Sequence, residues 1–205
     1  MNDGLIFYWL AWAGCIIVAC FMPEGKTRTT FTCFVLILIL FADVQLPFGI
    51  FHFSLSYVVL LTVTFYQLAR LNRFLFSLLV SFTIMIGYTG LLIWYMLSPI
   101  GLFLPKIVWI PLFILLLTIW MIRTFRNRLF CCIAGIVGGE WLYSLILTTY
   151  SFSDVIGDMV FLDTVSIVTA ALIGQHLLNT GTRKLNEQLK NAALRRGTFI
   201  KKKAQ

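Results

Sequence analysis

The chain has 205 residues, of which 60% are hydrophobic and only 12% charged, about half the charged share of an ordinary soluble domain. Too few polar groups exist to cover a water-soluble globule, so lipid is the solvent for much of the surface, and we expect no soluble catalytic or sensor domain. The net charge of +8 would suggest nucleic acid in a soluble protein, but here the cations sit in short clusters between apolar runs. Nucleic acid is therefore excluded as a partner.

Seven apolar stretches follow one another, at about 5–22, 29–46, 49–69, 74–97, 106–122, 129–150 and 159–178. Each is close to the ~20 residues that a helix needs to cross a bilayer core. The opening Met1-Asn2-Asp3-Gly4 has no positive segment, so the first stretch reads as a permanent helix rather than a cleaved signal. The second is the weakest, cleanly apolar only from Phe31 to Ala42 before Asp43. The fifth is short but lies between Lys106 and Arg123, which fixes its ends. Short connections predict antiparallel neighbours. The fold expected is all-α, a polytopic bundle of seven transmembrane helices over 1–181 with a basic tail over 182–205.

Orientation follows from the cations. Lys26 and Arg28, then Arg70 and Arg73, then Arg123, Arg126 and Arg128 occupy alternate loops, and the tail adds eight more. Of the 16 basic residues only Lys106 falls on the other side, with Asp3, Asp43, Asp154 and Asp158. Bias of this kind in short loops places the basic side in the cytoplasm, so the N-terminus lies outside and the C-terminus inside. Trp9, Trp94, Tyr95, Trp109 and Trp120 near the ends of the stretches fit interfacial belts.

Ionisable groups within apolar helices are costly and mark candidate sites. Glu140 lies near the middle of the sixth stretch, and Ser144 and Thr148 follow at i+4 and i+8, giving one polar face. On the seventh, Asp163 and Ser166 share a face with Ala170 and Gly174. If these two faces meet, they form a cation, proton or substrate site, with Asp43, Asp154 and Asp158 as its outer vestibule. The alternative is that Glu140 is a protonated, hydrogen-bonded packing group, and that the outer acids are what remains once Lys and Arg are removed from that side.

Gly135 and Gly139, with Gly138 between them, have the small-residue spacing that lets helix backbones approach, and we assign them to helix packing. Cys15, Cys20, Cys33, Cys131 and Cys132 all fall in apolar runs, and they read as small apolar-facing residues rather than disulfides or metal ligands. His52 and His176 lie at opposite membrane levels and cannot share a metal. In the tail, Leu185, Leu189 and Ala192 form a stripe among Arg183, Lys184, Lys190, Arg195 and Arg196, with Gly197 ending the pattern before Lys201, Lys202 and Lys203. This predicts either a short amphipathic helix on anionic lipid headgroups or a solvated basic tail.

Several chemistries have no support. The sequence lacks a His-Glu-x-x-His metal motif, a Gly-x-Ser-x-Gly elbow and a Gly-rich phosphate loop. The seventh stretch holds no lysine for a retinal Schiff base. No catalytic residue, metal or cofactor is assigned.

The opening Asn2-Asp3-Gly4, Phe7-Tyr8-Trp9 and Trp12-Ala13-Gly14, with the basic loops and lysine-rich end, resembles the small YphA-type membrane proteins of spore-forming Gram-positive bacteria. That resemblance implies a multi-pass protein of the bacterial cytoplasmic membrane, in a family without an established activity, and it transfers no site residue. The function expected is a non-catalytic partner or assembly protein bound to the bilayer, to anionic lipid and to another membrane protein. The alternative is a small cation- or proton-coupled transport protein using the acids of the sixth and seventh stretches.

Overall fold

A computed structural model describes residues 4–48, 51–71, 73–97, 106–150 and 155–203. Its elements are α1 (Leu5–Phe21), α2 (Lys26–Leu40), β1 (Gln45–Phe48), β2 (Phe51–Ser54), α3 (Leu55–Ala69), α4 (Phe74–Leu97), α5 (Lys106–Met121), α6 (Phe125–Thr149), β3 (Val155–Ile156) and α7 (Met159–Lys203). In hydrocarbon each backbone N–H and C=O must find a partner within the chain, and a helix provides these partners locally. Phe74–Leu97, Phe125–Thr149 and Met159–Gln188 are long and apolar enough to cross a membrane, while α1, α3 and α5 are shorter apolar helices.

The shorter helices have 15 to 17 residues, or about 23–26 Å at 1.5 Å per residue, against a hydrocarbon core of ~30 Å. A shortfall of that size is met by local thinning and by flanking side chains that reach the interface. The polar first turn of α2 shows how hydroxyls are accommodated. Thr30 and Thr32 donate to the carbonyls of Lys26 and Arg28 four residues back, at 2.8 and 3.0 Å, so neither hydroxyl needs water.

The expected second and third helices were too long where they approach each other. The second ends at Leu40 rather than 46, and the third begins at Leu55 rather than 49. Between them lies an antiparallel hairpin, with Gln45 opposite Ser54 and Pro47 opposite His52. Pro47 explains the break: it has no N–H to donate and forces the preceding residue to be extended. It sits on β1, an outer strand of the order β1-β2-β3, which is where a strand tolerates proline. β3 joins β2 in parallel, with His52 opposite Val155.

The interior centres on α6, whose most extensive partner is α4, followed by α3. Val80 and Ile84 of α4, Ile114 of α5, and Cys132, Ile136 and Val137 of α6 are fully enclosed. Large apolar side chains face outward instead, among them Trp9, Phe21, Leu75, Leu116 and Trp120. A soluble protein would rarely present so many; a lipid-solvated one does so at no cost.

The chain divides into two compact units, Met1–Ala170 and Ala171–Gln205. The expected end of the tail helix at Gly197 does not hold, because α7 continues through Gly181 and Gly197 to Lys203. Glycine lowers helix propensity by about 1 kcal/mol, a penalty that the flanking helical turns absorb.

Candidate functional site

The sixth helix is the element onto which the polar contacts of the interior converge. Tyr88 of α4, fully buried, donates its hydroxyl to Glu140 Oε2 at 2.9 Å. One residue along, Thr89 donates to the Gly139 carbonyl at 2.9 Å, and from α3 the Tyr57 hydroxyl donates to the Val137 carbonyl at 2.9 Å. Thr118 of α5 lies 3.4 Å from Cys132 Sγ. Three neighbouring helices are thus joined to one stretch of α6 by side-chain hydroxyls, where few competing donors exist.

Close approach makes those bonds possible. A Cβ added to Gly135 would lie 2.5 Å from Ile84 Cγ2, and one on Gly139 would lie 2.6 Å from Tyr88 Cδ1. Gly138 faces Met85, whose sulfur would be 3.1 Å away. The glycines therefore sit in the seam between α4 and α6, with the residue that bonds Glu140 lying directly over Gly139.

Glu140 is 7% exposed and Ser144, one turn on, is 3% exposed. Thr148 is half-buried and donates back to the Leu145 carbonyl at 2.9 Å. The polar face expected on α6 is therefore present as a line running from the interior toward the end of the helix.

Asp163 has a different set of partners. Its Oδ2 accepts the backbone N–H of Gly4 at 3.0 Å, and its Oδ1 accepts that of Phe7 at 2.7 Å. The first N–H groups of a helix have no acceptor within the helix, and α1 has no side-chain cap of its own. A single carboxylate from α7 thus serves both the residue before α1 and the third residue within it, the two donors that a capping box satisfies from local side chains. Its negative charge also faces the positive end of the α1 dipole. Gly4 has φ +87°, and a Cβ there would lie 2.8 Å from Met159 Sδ, so both conformation and space favour glycine at this position. Ser166 donates to the Asp163 carbonyl at 2.8 Å.

The two intramembrane acids are consequently bonded to different elements, Glu140 to α4 and Asp163 to the start of α1. Of the three outer acids, Asp43 and Asp158 line one recess of about 60 Å³, together with Gln45, Ser54 and Gly157. Asp158 Oδ1 accepts the N–H of Met159 at 2.6 Å, at the start of α7. Asp154 lies outside the described residues. Aromatic contacts join the sheet to the helices around it: Phe53 stacks on Trp141 with centroids 5.5 Å apart, and Tyr57 meets Phe161 edge-on at 5.6 Å.

On the basic side, Arg128 donates to the Ile122 carbonyl through Nε and Nη2, at 2.9 and 2.6 Å, capping the C-terminal end of α5 with a cation. Arg70 lies 4.6 Å over the Tyr66 ring, and on the opposite side of the expected topology Lys106 lies 4.8 Å over Tyr95. Of the tail cations, Arg183 and Lys184 are exposed, and Arg183 pairs with Glu187. The side chains of Lys190, Arg195, Arg196, Lys201, Lys202 and Lys203 lie outside the described residues.

Sequence reasoning missed Tyr57, Tyr88, Thr89 and Thr118. A signal was available: each is a hydroxyl placed in the body of an apolar stretch, too far from its ends to be a belt residue. What the sequence does not provide is the partner, since pairing Tyr88 with Glu140 requires the helix register.

A family model described as YphA-like integral membrane protein matches residues 3–197. No curated protein and no solved structure matches the chain.

Proposed function

The chain belongs to the YphA-like integral membrane proteins, and from that premise we propose that it is a non-catalytic assembly protein of the cell membrane, with its N-terminus outside and its C-terminus in the cytoplasm. The observation that carries this reading is the way the two intramembrane acids are used. Asp163 has both oxygens on the first turn of α1, and Glu140 is held by the buried Tyr88 hydroxyl. An acid that relays a cation or proton has to exchange partners as it works, whereas these bonds fasten helices together. Function then falls to the outer surface of the bundle, where a membrane protein partner is met. The topology is supported by the confinement of basic residues to alternate loops and the tail.

Purification of the tagged chain from its own membranes after cross-linking tests the proposal. A membrane protein recovered in fixed stoichiometry, and retained with Glu140→Gln, is the expected result. Recovery of the chain alone would contradict it.

A competing reading, cation- or proton-coupled permeation through Glu140 and Asp163, draws on the recess where Asp43 and Asp158 meet. Flux measurements on reconstituted vesicles separate the two.

A further inference from the structure

We propose that residues 182–203 of α7 are a binding element for an anionic lipid surface. This inference goes beyond the assembly role and does not depend on it. The carrying observation is the continuity of α7 to Lys203, which allows one helical periodicity to be applied across the whole segment, past Gly197.

On that periodicity Leu185, Leu189, Ala192 and Phe199 stand at i, i+4, i+7 and i+14, with Ile200 beside them, and make one apolar stripe. Lys184, Arg195 and Lys202, at i, i+11 and i+18, fall along one flank of it. Arg183, Lys190 and Lys201, at i, i+7 and i+18, fall along the other. Residues 181–184 and 186–188 are exposed. Cations on both flanks of an apolar stripe are the arrangement that lets a helix bury one face at the headgroup boundary while long basic side chains reach the phosphates.

A second copy of this chain fits the same stripe less well, for two reasons. The segment carries eight basic residues against the single acid Glu187, so two copies side by side repel. Arg196 lies at i+11 from Leu185, within the stripe, where a helix–helix seam would bury an unpaired charge. At a headgroup boundary the same arginine has phosphates within reach. Charge complementarity therefore selects the lipid.

The test is amide hydrogen exchange over residues 185–200 of the full chain in nanodiscs of phosphatidylcholine, with and without phosphatidylglycerol. A helical segment of this length is marginal in water, so surface binding shows directly as slowed exchange. The expected result is slower exchange in the anionic discs, reversed by high salt. Replacing Lys184, Arg195 and Lys202 with Gln should abolish that difference, because each cation contributes roughly fivefold to the binding constant, and three contribute about a hundredfold. Equal exchange in neutral and anionic discs would overturn the proposal. So would protection that follows the number of chains per disc rather than lipid charge, which would assign the stripe to a second copy.

Discussion

Asp163 Oδ1 lies 2.7 Å from the backbone nitrogen of Phe7, a residue 156 positions earlier in the chain. With Gly4 on the other oxygen, this contact ties the first turn of α1 to α7. It also gives a buried carboxylate, 2% exposed, a structural reason to be where it is.

Removing that cap should cost stability in steps. Asp163→Asn keeps one acceptor oxygen and should lose about 1 kcal/mol. Asp163→Leu leaves two buried N–H groups without an acceptor and should lose about 2–3 kcal/mol. Equilibrium unfolding in mixed micelles reads both; equal losses would mean that the second acceptor oxygen adds nothing.

The glycines of α6 should rank by what an added methyl meets. Gly135→Ala and Gly139→Ala drive a Cβ into Ile84 and Tyr88 and should each cost about 1–3 kcal/mol. Gly138→Ala meets only the flexible end of Met85, and Gly90→Ala has no heavy atom within 4 Å. Those two should be mild and neutral, respectively. A thermal-stability series in one detergent tests the order.

Tyr88→Phe and Glu140→Gln should be coupled. Interhelical hydrogen bonds in membranes average about 0.6 kcal/mol and reach about 1.7, and the full burial of Tyr88 puts this pair toward the upper end. A double-mutant cycle on unfolding free energy reads the coupling directly. Additive losses would mean that the bond contributes nothing to holding α4 against α6.

Gly157 should not tolerate a side chain. Its φ is +81°, and a Cβ would overlap the side chain of Tyr57. Gly157→Ala should destabilise by about 1–3 kcal/mol and loosen the contact of Tyr57 with Phe161. Faster amide exchange across β2 and β3, with α5 unchanged, is the expected signature.

The helices were legible because hydrocarbon leaves the backbone few choices, and apolar runs between charged residues mark them well. Lys106 and Arg123 bracket α5 closely for that reason. The hairpin was not legible: Leu46-Pro47-Phe48 is apolar enough to extend a helix in a hydropathy reading, and only the missing N–H of Pro47 argues otherwise. Glu140 and Asp163 were found by their cost in lipid, but their partners were not. Phe7 contributes a backbone nitrogen, which leaves no trace in side-chain chemistry, and Tyr88 looks like any aromatic residue of an apolar helix. Asp43 and Asp158 were grouped by their side of the membrane, and they meet because β3 pairs with β2, a contact that alternation of helices does not predict. The length of α7 was underestimated because glycine was given more weight than the helix-forming residues around Gly197.

The central claim is that the acids within the bundle fasten helices and do not conduct. Proton and cation flux into vesicles reconstituted with the parent chain and with Glu140→Gln tests it most directly, with unfolding stability measured on the same preparations. The account predicts flux no greater than that of empty vesicles for both proteins, and lower stability for the variant. Flux through the parent that disappears in an equally stable Glu140→Gln variant would contradict it.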